Sequence, residues 1–187
     1  MKVVVGLGNP GPEYDATRHN VGWWLLDRLA YDWDFPLFQR EGRVMRSEGL
    51  RDGVHYLLLK PTTFMNRSGA ALTSLAGLED FRPAMDLLIV VDDAALEVGR
   101  VRFRTRGSAG GHNGLRSVSH ALGSDDYARL RIGVGIPPSE EDLSEWVLSP
   151  MSPDDEDVVL GLLPQMVLGV GAWGVEGIEA AMNGFNR

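Results

Sequence analysis

The sequence predicts a single α/β domain in which a twisted, mixed and mostly parallel sheet lies between helices. Two short, fully apolar runs at residues 3–7 and 87–91 end in turn residues, as buried strands do. Segments with a helical spacing of apolar residues alternate with these and other strands, which is the pattern of helices packed on a sheet. A chain of 187 residues, 44% of them hydrophobic, has the size of one domain, and we assign residues 1–187 to it.

In the first half of the chain, the strand at residues 3–7 is followed by a loop and a helix. Residues 9–18 are rich in glycine and proline and form the loop. An apolar stripe at helical spacing then predicts the helix, and it consists of Val21, Trp24, Leu25, Leu29 and Trp33. Strands at residues 44–49 and 54–59 flank a short polar turn, which predicts a hairpin.

The second half continues the alternation of helices and strands. Residues 70–78 and 115–122 predict helices, whereas residues 100–104 alternate polar and apolar side chains, as half-exposed strands do. Residues 130–136 predict a further strand, and the C-terminal segment 153–184 is mostly helical. Four residues interrupt the helical pattern of that segment, namely Gly161, Pro164, Gly169 and Gly171.

The composition excludes several kinds of site. The chain has no cysteine, which excludes disulfides, thiolate nucleophiles and cysteine-based zinc sites. No apolar run reaches the ~18 residues that a membrane span needs, and the N-terminus lacks the layout of a signal peptide. We therefore expect a cytoplasmic protein that does not bind a membrane.

The charge is unevenly distributed along the chain. The net charge of −8 argues against indiscriminate binding of nucleic acid. From residue 137 onward there are ten acidic residues and one basic residue, whereas residues 100–131 contain seven arginines and two aspartates. Genomic base composition or adaptation to heat would explain the overall excess of arginine over lysine, but not this cluster. Arginine makes bidentate phosphate contacts, so the middle of the chain is suited to binding phosphate.

Two glycine-rich loops each lead to a His-Asn pair. Residues 6–11 precede His19 and Asn20, and residues 107–111 run directly into His112 and Asn113. Glycine lets the backbone approach a ligand closely, histidine titrates near neutral pH, and asparagine forms hydrogen bonds without carrying charge. The pattern indicates a polar site that transfers protons at a neutral carbonyl group.

The first loop also has the Gly-x-Gly-x-x-Gly spacing of dinucleotide-binding sites. In those sites the loop runs directly into a helix whose N-terminus meets the phosphates. Here Pro10, Gly11 and Pro12 separate the loop from a helix that begins near Asn20, and no acidic residue closes a second strand at the usual distance. A nicotinamide- or flavin-dependent oxidoreductase is therefore disfavoured, and we expect no cofactor.

Asp92 and Asp93 follow a buried strand and can lie beside Asn9, because site residues lie beyond the carboxyl ends of parallel strands. A carboxylate beside His19 would orient the imidazole as a general base; the alternative is that both aspartates cap a turn. Metal binding is disfavoured because the acids and histidines lack ligand spacing. The chain has no Gly-x-Ser-x-Gly elbow for a serine nucleophile, which leaves activated water as the attacking group.

The segment 60–69 follows a strand and precedes a predicted helix, and two interpretations of it stay open. Asn66 either caps the helix or reaches the site. Met65 either packs in the core or forms an apolar wall of the site. Spacing alone does not decide between these possibilities.

Taken together, these segments resemble the bacterial peptidyl-tRNA hydrolases. The resemblance runs from residue 3 to about residue 150, through the ordered motifs GLGNPGPEY, TRHNVG, KPTTFMNRSG, VDD, GGHNG and RLRIGVG. It implies a single α/β domain of the phosphorylase/hydrolase-like type in a monomeric cytoplasmic enzyme. The implied activity is hydrolysis of the ester between the peptide and the 3′-terminal ribose of peptidyl-tRNA, without a metal, so that tRNA is recycled from stalled or aborted translation.

The resemblance also implies a role for individual residues. His19 would be the catalytic base and Asp92 the partner that orients it. Three asparagines would bind the substrate and the attacking water: Asn9, Asn66 and Asn113, the last in a lid loop near residues 106–115. Three further residues would line the cleft: Tyr14, Met65 and His112. Two arginines would hold the 5′-phosphate of the tRNA: Arg104 and Arg131.

The chain departs from the family's pattern in several places. Val91 stands where many relatives have histidine, and Asp93-Ala94-Ala95 replaces the usual Asp-Leu-Asp. The segment 138–145 is acidic, where some relatives are basic for contact with tRNA. The alternative function is that of a non-catalytic RNA-binding relative of the same fold, although the intact set of His19, Asp92 and the asparagines argues against it.

Overall fold

Seven strands among the described residues form one sheet with helices on both faces. The computed structural model describes the backbone of residues 1–187 and every side chain except that of Ala76. The strands are β1 (Lys2–Gly6), β2 (Gln39–Glu41), β3 (Val44–Arg51), β4 (Val54–Pro61), β5 (Leu87–Asp93), β6 (Val101–Arg104) and β7 (Ala128–Gly133). Their order across the sheet is β2-β3-β4-β1-β5-β7-β6.

The centre of the sheet is parallel and its two sides are antiparallel. Strand β1 pairs in parallel with β4 and β5, and β5 pairs in parallel with β7. Strands β2, β3 and β4 form antiparallel hairpins through turns in which Gly42 and Gly53 have positive φ, and β6 runs antiparallel to β7. The predicted mixed sheet between helices is confirmed. Parallel pairing predominates only at the centre, because the two hairpins and the β6–β7 pair together add as many antiparallel pairings among the described residues.

The helices cover both faces of this sheet. They are α1 (Val21–Asp32), α2 (Pro83–Asp86), α3 (Asn113–Leu122), α4 (Leu143–Val147), α5 (Pro153–Glu176) and α6 (Ile178–Phe185). The described residues also form 3₁₀ helices at Pro12–Tyr14, Arg18–Asn20, Met65–Ala71 and Thr73–Gly77. Strand β2 and the short helices α2 and α4 have no counterpart in the sequence prediction.

Each face of the sheet has its own hydrophobic core. On one face, residues of α1, α5 and α6 pack against side chains such as Leu58 and Val90. On the other face, α3 and the 3₁₀ helices Met65–Ala71 and Thr73–Gly77 pack against the sheet. They contact the side chains that alternate with the first set along the same strands, such as Leu59 and Ile89. The carboxyl ends of β1, β4, β5 and β7 meet at one edge because these strands are parallel. Since both faces of the sheet are buried, the loops at this edge are where a site can form.

The helix predicted at residues 70–78 is not an α-helix, because two successive 3₁₀ helices, Met65–Ala71 and Thr73–Gly77, form most of this segment. Leu72 and Leu75, three residues apart, are both buried in the core. The three-residue turn of a 3₁₀ helix places such a pair on one face. The segment also lies very close to α3, because the backbone N–H of Gly69 donates to Oγ of Ser117 at 3.0 Å.

The predicted strand at residues 130–136 ends earlier, at Gly133. The backbone N–H of Val134 still donates to the carbonyl of Asp93, but Gly135 has φ +89° and turns the chain away from the sheet. The lid loop is likewise shorter than predicted, because α3 begins at Asn113.

The C-terminal segment contains one long helix rather than an interrupted one. Helix α5 continues through Pro164, which is exposed, so the carbonyl that loses its N–H partner can bond to water. The break falls instead at Gly177, which has φ +96°. Among the described helices α5 is the one that is long and apolar enough to cross a membrane, but Val159, Leu163 and Trp173 are buried against the sheet, as in a core helix.

Candidate active site

The loop after β1 turns beneath the start of α1, which brings residues 18–20 to the carboxyl edge of the sheet. The backbone N–H of Leu7 donates to the carbonyl of Val90 at 2.9 Å, so the chain stays beside β5 beyond the end of β1. A Cβ on Gly6 would lie 2.5 Å from the carbonyl oxygen of Gly22. Helix α1 can approach β1 this closely only because residue 6 is glycine.

Asn9 is held by hydrogen bonds on its backbone and on its side chain. Its backbone N–H donates to Oδ1 of Asn20 at 2.9 Å, and Nδ2 of Asn20 donates back to the carbonyl of Asn9 at 3.0 Å. Oδ1 of Asn9 accepts the backbone N–H of Met65 at 2.7 Å. Since the side-chain oxygen is directed at Met65, the NH₂ group of Asn9 is turned the other way as a hydrogen-bond donor.

Two histidines contact the same carboxylate oxygen. Nδ1 of His19 and Nε2 of His112 each lie 2.8 Å from Oδ1 of Asp92. The two rings are tilted by 53°, and their centroids are 5.0 Å apart. The expected proximity of His19 and Asp92 is present, and His112 is an additional partner that the sequence placed in the cleft but not on the carboxylate.

The hydrogen-bond partners determine the tautomer of each histidine. Nδ1 of His112 accepts the backbone N–H groups of Gly114 and Leu115, at 3.1 and 3.3 Å, and so caps the N-terminus of α3. The proton of neutral His112 is therefore on Nε2, which donates to Asp92. Nδ1 of His19 likewise donates to Asp92, which leaves the lone pair of His19 on Nε2.

Asp92 is ionised although its side chain is buried. Burial alone would raise the pKa of Asp92, but the hydrogen bonds from His112 and His19, together with the positive charge of either ring when it is protonated, outweigh burial and hold this pKa well below its usual range. Oδ2 of Asp92 is buried and has no hydrogen-bond partner among the described residues. A carboxylate in this position stabilises a neighbouring imidazolium when one forms.

The same three side chains resemble a metal site by proximity, because their ligating atoms all lie within 4.8 Å of one another. Their hydrogen bonds oppose metal binding. Nδ1 of His112 already uses its lone pair as the cap of α3. A metal on Nε2 would need a second lone pair on the same neutral ring, which an imidazole does not have. The donor set therefore fits a proton-transfer network better than a resident metal ion.

A cleft of about 440 Å³ opens beside His19 and Asp92. Its described lining comes from the turn after β5, from Gly110 and Gly111 of the lid loop, and from a segment that we call the 136–147 wall. The wall contributes Ile136, Pro137, Leu143, Ser144 and Val147. Five of the predicted site residues line the cleft: His19, Asp92, His112, Asn113 and Arg131.

The other five predicted site residues lie outside the described lining of this cleft: Asn9, Tyr14, Met65, Asn66 and Arg104. The side chain of Met65 is buried in the core, packed so closely on Gly114 that a Cβ there would lie 2.5 Å from its sulfur. Asn66 is exposed on the 3₁₀ helix beside it. Tyr14 packs edge-on against Phe64, with ring centroids 6.4 Å apart. Their substrate contacts stay predictions.

Comparison with known proteins identifies the family. The family model for peptidyl-tRNA hydrolase matches residues 3–187. The chain is 47% identical over 188 residues to the peptidyl-tRNA hydrolase of Symbiobacterium thermophilum, covering 99% of this chain and 98% of the relative. It is 43% identical over 192 residues to that of Gemmatimonas aurantiaca, with both chains fully covered. The chain belongs to the peptidyl-tRNA hydrolase family.

Solved structures of peptidyl-tRNA hydrolases have the same fold. The crystal structure of the enzyme from Acinetobacter baumannii superimposes with a TM-score of 0.93 at 32% identity, covering 100% of this chain and 95% of that one. A peptidyl-tRNA hydrolase crystallised with n-propanol gives the same values. The family and the enzyme class that the sequence predicted, an ester hydrolase acting on peptidyl-tRNA, are confirmed.

The two arginines expected to hold phosphate lie at the β7 and β6 end of the sheet. Nε of Arg131 is 2.9 Å from Oδ2 of Asp93, but its N–H direction is off the oxygen, so the contact is an ion pair without a hydrogen bond. Arg104 is exposed on the edge strand β6 and pairs in register with Arg129.

Arg129, which supports the lid loop, was not predicted as a site residue from the sequence. Arg129 is buried, donates to the carbonyl of Ser108 at 2.7 Å and stacks on the ring of Tyr127 at 4.5 Å. It thereby ties the lid loop to β7. The available signal was the alternation of β7, which places Arg129 and Arg131 on the face where neighbouring strands carry aliphatic side chains.

Proposed function

We propose that this enzyme hydrolyses the ester bond of peptidyl-tRNA with water as the nucleophile and His19 as the general base. The pair of hydrogen bonds on Oδ1 of Asp92 carries this proposal. They commit Nδ1 of His19 to the carboxylate and leave the lone pair of Nε2 as the base, on a residue that lines the cleft.

The reaction needs two proton transfers and no further reactant. Nε2 of His19 removes a proton from water, and the hydroxide attacks the carbonyl carbon of the ester. The ionised carboxylate of Asp92 stabilises the resulting imidazolium through Nδ1. When the tetrahedral intermediate breaks the bond to the 3′-oxygen of the ribose, His19 returns the proton to that oxygen. The products are the peptide acid and the free tRNA, and the base is regenerated.

Asn9 supplies a hydrogen-bond donor without a charge. Its oxygen is engaged with Met65, so its NH₂ group is available to the carbonyl oxygen that becomes negative during the attack. Removing one such donor typically costs about 3–4 kcal/mol of transition-state stabilisation. Asn66 and Asn113 would bind the peptide backbone and the water. The charged α-amine of a free aminoacyl-tRNA would meet unpaired donors there, which selects for a blocked amine.

The arginines at the β7 and β6 end suggest how the RNA is held. Arg104 and Arg131 would bind the 5′-phosphate of the tRNA, and the cluster of arginines between residues 100 and 131 supports this assignment. We further propose that the enzyme works as a monomer in the cytoplasm and recycles tRNA from stalled or aborted translation.

The test is release of an N-acetylated aminoacyl group from tRNA by the purified protein, with the free aminoacyl-tRNA as the control. We expect rapid release of the blocked group and little release of the free one. Binding of tRNA without cleavage of either ester would contradict the proposal and favour the non-catalytic RNA-binding alternative.

A further inference from the structure

Arg18 is buried at the start of the 3₁₀ helix that carries His19, and it packs against the 136–147 wall. It directly precedes His19 in the chain and is only 5% exposed. Its guanidinium stacks on the ring of Trp146 at 3.5 Å. Trp146 belongs to α4, which forms part of the wall, so a residue next to the general base contacts the far side of the cleft lining.

The hydrogen bonds of Arg18 join the two ends of the wall. Nε donates to the carbonyl of Val134, at 3.2 Å, just before the wall. Nη1 donates to Oγ of Ser149 at 2.6 Å and to the carbonyl of Pro150 at 2.8 Å, just after it. The backbone N–H of Arg18 also donates to the carbonyl of Ser149, at 3.1 Å. One side chain thus closes the loop that carries the wall.

The indole of Trp146, which stacks on Arg18, also joins two parts of this loop. Nε1 of Trp146 donates to the carbonyl of Gly135 at 2.9 Å. Gly135 has φ +89°, and a Cβ on it would lie 3.3 Å from the Trp146 ring. The wall is therefore packed around a guanidinium and an indole, and its position follows theirs.

We propose that Arg18 is a positioning residue that holds the 136–147 wall at a fixed distance from His19 and so determines how tightly the cleft binds the substrate. The inference rests on the proposed function, because it requires that the cleft beside His19 binds peptidyl-tRNA. His19 has its own attachment to Asp92 at 2.8 Å. Loosening the wall therefore weakens substrate binding while the base keeps its orientation.

The experiment compares steady-state kinetics of three variants on N-acetylaminoacyl-tRNA. Arg18→Lys keeps the charge but loses the planar stack and most of the simultaneous hydrogen bonds. We expect KM to rise about tenfold, the effect of losing hydrogen bonds from a charged donor, with kcat changed by less than about twofold. Ser149→Ala removes the acceptor at 2.6 Å and the hydrogen bond that Oγ of Ser149 donates to the carbonyl of Trp146 at 2.7 Å, but it leaves the stacked guanidinium in place, so it should raise KM by a smaller factor.

The matched control is Arg28→Lys. Arg28 is a partly exposed arginine of α1 that pairs with Asp32, and its replacement should change neither constant. Nitrogen NMR signals of the His19 ring should be the same in Arg18→Lys as in the wild type, which separates loosening of the wall from displacement of the base.

A fall in kcat at unchanged KM, or a shift of the His19 ring signals, would overturn the inference. Unchanged KM in both Arg18→Lys and Ser149→Ala would do the same. If Arg18→Lys fails to fold, Ser149→Ala alone decides. An inactive wild type contradicts the proposed function instead, so the two failures are distinguishable.

Discussion

Asp92 accepts hydrogen bonds from two histidines through one oxygen, and the consequence differs for each histidine. His19 can accept a second proton on Nε2 while Nδ1 stays on the carboxylate. A second proton on His112 would point at the N–H groups of Gly114 and Leu115. In the proposed mechanism, His112 is therefore a fixed donor, and His19 is the ring that takes a proton from water.

Replacement of His19 by alanine tests that assignment. We expect the turnover number of His19→Ala to fall by about 10³-fold, within the usual range for loss of a general base. Affinity for tRNA should be retained, because the phosphate contacts are assigned to other residues. Single-turnover hydrolysis and tRNA binding, measured on the same preparation, check both parts. Near-normal turnover would show that another group is the base.

The residues of this site differ in whether their positions can be predicted from the sequence. The proximity of His19 and Asp92 could be predicted because His19 follows β1 and Asp92 lies at the carboxyl end of β5, and parallel strands end at one edge of the sheet. The pairing of Asn20 with Asn9 could not, because it depends on how the loop folds back on itself. Arg18 looks like a surface cation in the sequence, since arginine is seldom buried, and only tertiary contacts reveal its burial.

At the level of elements, α5 is tightly packed at some glycines and open at others. A Cβ on Gly174 would overlap the side-chain oxygen of the buried Tyr56, whereas a Cβ on Gly161 would meet nothing within 4 Å. Both glycines lie inside the helix. This contrast offers a matched pair of substitutions in one element.

We expect Gly174→Ala to lower the free energy of unfolding by about 1–3 kcal/mol, the usual cost of overpacking. Gly161→Ala should raise it by about 0.5–1 kcal/mol, because alanine favours the helix and reduces the freedom of the unfolded chain. Denaturant unfolding at neutral pH measures both changes. Equal effects of the two substitutions would contradict the packing of α5 on Tyr56.

The elements that the sequence predicted best are the fully buried ones. Strands β1 and β5 contain continuous apolar runs because helices cover both faces of the sheet at these strands. The helix predicted at residues 70–78 forms as two 3₁₀ helices, and the sequence does not distinguish the helix types because apolar spacing of three or four residues suits both. The passage of α5 through Pro164 could not be predicted, since it depends on which side of the helix faces water.

Across the whole molecule, the arginines of the β7 and β6 end stand out against a net charge of −8. We expect Arg131→Gln and Arg104→Gln each to weaken tRNA binding and to reduce the slope of log affinity against log salt by about 1. Arg40→Gln is the control, because β2 lies at the opposite edge of the sheet. Binding measured over a series of salt concentrations checks the slopes. Equal slopes for all three variants would show that Arg131 and Arg104 do not contact the RNA phosphates.

Stability should also depend on alkaline pH through Tyr56. Burial raises the pKa of Tyr56 from 10.0 to about 12, and its hydroxyl has no hydrogen-bond partner among the described residues. The folded state thus holds this proton more tightly than the unfolded state. Its contribution to stability is complete below pH 10 and is lost as the pH rises towards 12.

The variant Tyr56→Phe should remove this pH dependence. It also removes a buried hydroxyl without a partner, so we expect equal or greater stability at neutral pH, by up to about 1 kcal/mol. Denaturant unfolding at pH 8 and pH 11 compares the two proteins. An identical alkaline loss of stability in both would assign the effect to another group.

The order of the strands gives the bound substrate a direction. Arg131 and Arg104 lie on β7 and β6, Asp92 on the central β5, and Asn9 and Asn66 follow β1 and β4 on the other side. A substrate bound as proposed lies across the strands, with its nucleic acid towards one margin of the sheet and its acyl chain towards the other. On that proposal, the acyl chain leaves the protein on the side of the β2–β4 hairpins, opposite to the arginines that would hold the RNA.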